Sequence, residues 1–123
     1  VQGVLFRRVG QRGLKGRYGF HWHLVDRAPY AQAGVTGAGQ WIRHCAFDGS
    51  FQRAINIHGT DHVRVTGNVV FDVQNHAYVL AEDGDETDNV ATGNLAMLVR
   101  HPQDDAYAFF SGEHGHPQHD SLQ

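Results

Sequence analysis

The sequence predicts an all-β chain built as a right-handed parallel β-helix (a β-solenoid), itself one fragment of a longer solenoid. Three observations predict it. Two separate stretches repeat at the same spacing. The repeating units are short, apolar-alternating segments punctuated by Gly, Asn or Asp. Helical periodicity is poor almost throughout. The first repeat aligns Trp41-Ile42-Arg43-His44-Cys45-Ala46-Phe47 with Arg64-Val65-Thr66-Gly67-Asn68-Val69-Val70, 23 positions on. The second aligns Ala54-Ile55-Asn56-Ile57 with Ala77-Tyr78-Val79-Leu80, again at 23. Thr92-Gly93-Asn94 then repeats Thr66-Gly67-Asn68 at an offset of 26. Strands that recur every 20-odd residues without intervening helices stack rung on rung at about 4.8 Å. A β-sandwich with chance similarity would not impose one offset on two unrelated strands.

Each element follows from this frame. Thr-Gly-Asn is a corner: Gly accepts positive φ, and stacked Asn side chains can hydrogen-bond along the ladder. Residues 28–39, rich in Ala and Gly and containing Pro29, break the repeat and read as a loop extruded from one turn, on the functional side of the solenoid. Residues 1–100 are thus the β-helix turns. Residues 101–123 are expected to be a last partial turn and a mobile polar tail, whose His114, His116 and His119 would capture metal only weakly.

Composition narrows the functional classes. Ten Lys and Arg against 13 Asp and Glu give a net charge of -3, which supplies no general attraction to nucleic acid or anionic membranes. No apolar run reaches the roughly 20 residues that cross a bilayer, so no membrane insertion is expected. A lone Cys45 excludes an intrachain disulfide framework. The chain opens Val1-Gln2-Gly3, without Met or a signal peptide, and reads as an internal piece or processed product with flanking turns on either side.

The ten histidines carry the chemistry. In Phe20-His21-Trp22-His23-Leu24, burial of Phe20, Trp22 and Leu24 turns His21 and His23 outward. In Arg53-Ala54-Ile55-Asn56-Ile57-His58, burial of Ile55 and Ile57 turns Asn56 and His58 outward. If these are successive rungs, His21 stacks on Asn56 and His23 on His58, at an offset of 35 because the 28–39 loop lengthens this turn. The same register turns Ala77, Val79 and Ala81 outward, as a shallow floor, with Asp83 following them. His76 falls inward or at a corner, and Arg53 opens a corner. His21, His23 and His58 on one wall suit a divalent metal, an acid–base pair, or plain ladder hydrogen bonding. The acidic run Glu82-Asp83-Gly84-Asp85-Glu86 lacks the spacing of a calcium loop and reads as a solvated turn. Arg17, Arg43 and Arg53 are suited to bidentate pairing with sugar carboxylates.

Three long motifs then occur in order: Gly16-Arg17-Tyr18-Gly19-Phe20-His21-Trp22-His23-Leu24-Val25, Ser50 to Thr60 (SFQRAINIHGT), and His76 to Asn89 (HAYVLAEDGDETDN). Over about residues 1–100 the chain resembles the β-helix region of G8-domain proteins. That family includes fibrocystin-like proteins and the hyaluronan-depolymerising proteins of vertebrates, with bacterial members among which this chain is expected to fall. Ala81 departs from the family's Leu-Glu-Asp-Gly run, the pattern fades beyond Arg100, and no G8 domain is present. The resemblance implies an extracellular or cell-surface setting and a link to acidic glycans such as hyaluronan. It carries over Arg17, His21, His23, Arg53, His58, His76, Glu82 and Asp83.

The resulting expectation is a carbohydrate-active face. His23, His58 and Asp83 are the catalytic candidates. Arg17, Arg53, Asn56, His76 and Glu82 are the substrate-binding ones. His21, His23 and His58 are the candidate ligands of a divalent zinc or calcium ion. Hydrolysis and elimination both stay open, and a non-catalytic glycan-binding or adhesion scaffold is the rival.

Overall fold

A computed structural model describes residues 1–101, so the expected polar tail and its histidines lie outside the described residues. Ten strands follow in chain order: β1 (Leu5–Arg7), β2 (Phe20–His23), β3 (Trp41–Arg43), β4 (Ala46–Ser50), β5 (Ile55–His58), β6 (Arg64–Thr66), β7 (Val69–Gln74), β8 (Tyr78–Val79), β9 (Val90–Thr92) and β10 (Leu95–Arg100). All named pairs are parallel, and they form three walls: β1-β4-β7-β10, β2-β5-β8 and β3-β6-β9. This is the expected β-helix. The only helical element among the described residues is a 3-10 turn, Ala31–Ala33, inside the predicted loop.

The predicted registers are the observed ones. Ile42 pairs with Val65, Ile55 with Tyr78, Thr66 with Thr92, and His23 with His58. The offset between paired residues is 41 for β1 and β4, 35 for β2 and β5, and 23 for β3 and β6. The first turn therefore carries six extra residues between β1 and β2, and twelve between β2 and β3. The twelve match the 28–39 insertion; the six had no signature in the repeat.

Alternation fills the interior. Ile42, Phe47, Ile55, Ile57, Val65 and Val70 are fully buried. Equivalent positions stack from rung to rung, and Phe6 lies flat on Phe47 with ring centroids 4.5 Å apart. Ala77, expected to face outward, is instead buried with the core cluster. Leu24 is no longer part of the strand: its φ of 56° makes it the corner residue after β2.

The corners are satisfied by side chains. Asn68 is fully buried and accepts from the Cys45 N–H at 3.0 Å, while its amide nitrogen donates to the Ile42 carbonyl and to Asn94 Oδ1. Asn94 repeats the pattern one rung on, donating to the Val65 carbonyl at 2.8 Å. The expected Asn ladder is therefore present. Gly67, at φ 63°, precedes it; a β-carbon there would sit 2.8 Å from the His44 ring.

The insertion is pinned at its neck by Asp26. Its carboxylate accepts from the Thr36 hydroxyl and the N–H groups of Gly37 and Asp61. Gly37 is obligatory there, because a β-carbon would lie 2.1 Å from the Asp61 carbonyl oxygen. Burial raises the Asp26 pKa, but the bonds from Thr36, Asp61 and Gly37 outweigh it and leave a net lowering.

Replacing Asn68 with Ala leaves the Cys45 N–H and Ile42 carbonyl without this partner. Asn68→Ala is expected to lower stability by about 2–6 kcal/mol, at 1–3 kcal/mol per stranded group, read as a shift in urea midpoint at unchanged slope. Asn68→Asp keeps the acceptor but sets a buried carboxylate oxygen against the Ile42 carbonyl and Asn94 Oδ1, so at neutral pH it should cost at least as much.

Candidate functional site

The β2-β5-β8 wall gathers the candidate residues because Phe20, Trp22, Ile55 and Ile57 all turn inward. Trp22 fixes the strand further by donating from Nε1 to Gln40 Oε1 at 2.8 Å. His21, His23, Asn56 and His58 are left on the other face, with His21 paired to Asn56 and His23 to His58. The three imidazoles meet: ring centroids are 5.1 Å apart for His21 and His23, 4.8 Å for His23 and His58, and 6.2 Å for the nearly parallel His21 and His58.

The outer face is not an open floor. After β8 the chain folds back over it, and the Glu82 N–H donates to the Ile57 carbonyl. Glu82 Oε1 accepts from Arg53 at 2.6 Å and from the Tyr18 hydroxyl at 3.4 Å, while Oε2 accepts from Asn56 at 2.7 Å. The guanidinium of Arg53 also packs 5.0 Å from the Tyr18 ring centroid. Burial pushes the Glu82 pKa up. The Arg53 charge, the hydrogen bonds from Asn56 and Arg53, and His58 together overcome that and hold it below the usual carboxylate range.

His58 bridges two carboxylates. Its Nε2 lies 2.8 Å from Asp83 Oδ2, and its Nδ1 lies 3.8 Å from Glu82 Oε2. His21 is held neutral. Burial is the main cause, the positive charge of a protonated His23 adds to it, and the pKa falls to about 4. His21 Nε2 is out of solvent and has no hydrogen-bond partner.

The acidic turn has a structural role. Glu86 accepts from the N–H groups of Gly59, Glu82, Asp83 and Gly84, tying the turn to the preceding rung. Burial raises its pKa, and those bonds lower it by more. Arg27, entering the insertion, reaches Asp61 at 3.1 Å and Asp85 at 3.2 Å.

The structure thus brings His21, His23, Asn56, His58, Glu82, Asp83 and Arg53 together. Asn56 faces away from the core as expected, and Arg53 stands at the corner before β5; both are buried and bonded to Glu82, so neither presents itself directly to a ligand. Arg17 is exposed on the loop leading into β2. His76 stands at the corner before β8, where its carbonyl accepts from the Ala54 N–H. Arg43 lies on another wall, packed over Trp41. Ligand atoms of His21, His58 and Glu82, rather than of the three imidazoles, converge within 4.8 Å of one another. Tyr18 and Glu86 were missed. Neither belongs to a repeat: Tyr18 packs against His21 and Arg53 from the loop before β2 and reaches Glu82, and Glu86 gains its partners from the fold-back of residues 80–86.

The sequence matches the CEMIP beta-helix family over residues 1–119. Among curated proteins it is 40% identical over 97 residues to a G8 domain-containing protein of Dictyostelium discoideum, covering 79% of this chain and 8% of that protein. It is 39% identical over 97 residues to Communication mutant protein F of the same organism, with the same coverage, and 35% identical over 92 residues to mouse fibrocystin-L, covering 75% of this chain and 2% of that protein. The chain thus spans less than a tenth of the length of these relatives, which are eukaryotic and lend no support to a bacterial source. No solved structure matches it.

Two outcomes follow from the network. Arg53→Ala strands a buried carboxylate and is expected to cost about 3–5 kcal/mol, measured by denaturant unfolding. Acidification should destabilise the fold in two stages. His21 is lowered from 6.5 to about 4, so the unfolded chain binds its proton first and stability declines as pH falls from 6.5 towards 4. Glu82, Glu86 and Asp26 are also lowered, so their contribution is present above the ordinary carboxylate range and is lost as pH falls through and below it. Unfolding free energies across pH 3–8 check the sign; His21→Gln should remove the upper stage alone.

Proposed function

This chain belongs to the CEMIP beta-helix family, and from that footing we propose that its β2-β5-β8 wall is the glycan-facing surface of an extracellular protein acting on an acidic polysaccharide such as hyaluronan. The observation that carries the reading is the stacking of exposed His23 on His58, with Asp83 fixing His58 at 2.8 Å. A strand pair presents two imidazoles side by side at solvent, and a carboxylate orients one of them. That is an arrangement suited to proton transfer between the two rings and a bound sugar.

In this reading His23 exchanges a proton with the sugar, and His58 is its partner. Arg17 receives a sugar carboxylate in bidentate fashion. Arg53, Asn56 and Tyr18 act one step back, by holding Glu82. A paired-carboxylate glycosidase scheme fits less well, because Glu82 is already engaged by three donors. Proton abstraction followed by elimination, or hydrolysis assisted by histidine, fits the groups on the wall. The rival reading is a rigid adhesion surface, favoured by the mutual engagement of Arg53, Asn56 and Glu82. In either case, further β-helix turns would pack against the exposed Leu95, Met97 and Val99 of β10.

The test is to incubate the full-length protein with hyaluronan and size the polymer. Shortening that falls about 100-fold or more in His58→Ala, with hyaluronan binding retained, supports the catalytic reading. Retention on a hyaluronan column without shortening supports the scaffold. Neither binding nor shortening would overturn both.

A further inference from the structure

We propose that His21, His58 and Glu82 form a binding site for one first-row transition ion of the zinc class, with His23 beside it at the solvent edge. Three ligand atoms, one from each residue, lie within 4.8 Å of one another. The hydrogen bonds around them decide which atoms are available. His58 Nε2 donates to Asp83, which leaves the Nδ1 lone pair facing Glu82. The two acceptors stand 3.8 Å apart. That is too long for a hydrogen bond and close to the separation of two donors each about 2.1 Å from a shared ion.

His21 is set in the same way. The Gly16 backbone supports the ring and Nε2 is buried without a partner, an arrangement that favours the proton on Nδ1. A buried lone pair on Nε2 is therefore left without a donor, at a cost that native structures rarely bear. An ion there would supply the partner that His21 Nε2 and His58 Nδ1 lack, with Glu82 Oε2, held in place by Asn56, as the third ligand. Each ligand also has an outer partner that orients it: the Gly16 backbone for His21, Asp83 for His58, and Arg53, Asn56 and Tyr18 for Glu82. Such support is characteristic of metal-ligating side chains.

Two imidazoles and one carboxylate select a zinc-like ion over calcium, which prefers an all-oxygen shell. The acidic turn is no competitor, because its Glu86 carboxylate already accepts four backbone N–H groups. Three protein ligands leave a fourth position open, as in zinc sites that exchange water or substrate. This site does not depend on the glycan reading, and its test contains no glycan.

The experiment strips the full-length protein with a chelator and titrates it with zinc or cobalt ion alone. His114, His116 and His119 are first replaced by Ala so that tail imidazoles cannot contribute. The expected result is one high-affinity equivalent on this wall, with visible cobalt absorption of a four- or five-coordinate ion. That equivalent should weaken at least 100-fold in His21→Gln, His58→Gln or Glu82→Gln, and persist in His23→Gln. Millimolar calcium should not displace it. Circular dichroism identifies any variant that fails to fold, and Glu82→Gln, which keeps size and shape, decides the matter if the histidine variants do. Absence of the equivalent, its survival in folded Glu82→Gln, or its displacement by calcium would overturn the proposal.

Discussion

Parallel pairing of each rung on the one before is the constraint from which the site is built. Because side chains alternate strictly along a strand, placing Trp22 over Ile57 inside the solenoid also places His23 over His58 outside it. A slip of one residue would send the imidazoles into the core and the aromatics into water. The core therefore fixes the position of polar groups 35 residues apart in the chain. The corners lock that register: Asn68 and Asn94 satisfy backbone groups of adjacent rungs, so that a shifted rung would lose hydrogen bonds as well as packing.

A second layer sits on this frame. Residues 80–86 turn back over the β2-β5-β8 wall and bring Glu82 against Arg53, Asn56 and Tyr18. A buried ion pair of this kind offers little net stability over an apolar substitute, because both charges lose their water. What it provides here is orientation. Glu82 is fixed by three donors from two parts of the chain, His58 is fixed by Asp83, and the histidine wall acquires a defined geometry from neighbours that are themselves held.

The parts of this arrangement that repeat were legible in the sequence. The offset of 23, the Thr-Gly-Asn corners and the alternation in Phe20–His23 and Ile55–His58 sufficed to predict the walls, the Asn ladder and the pairing of His23 with His58. Lengthening the turn by the twelve residues of the insertion was enough to recover the 35-residue offset. The parts that do not repeat were hidden. Alternation says that Asn56 points away from the core, but not that a later turn will cover it. It identifies Arg53 as a corner residue, but not its partner, and it carries no information on Tyr18 or Glu86. Leu24 and Ala77 departed from simple alternation for local reasons: the strand had already ended at a left-handed corner in the first case, and the chain was still entering the strand in the second.

The twelve-residue insertion has a broader consequence. Its neck is closed by one carboxylate, that of Asp26, which gathers Thr36, Gly37 and Asp61 before the chain resumes its course. The wall before the neck and the wall after it consequently keep their places whatever the length of the excursion between them. A solenoid made this way can vary its periphery, and with it the shape of the approach to the histidines, while the histidines themselves stay where the core has put them. The length of the excursion and the layout of the wall become separable traits.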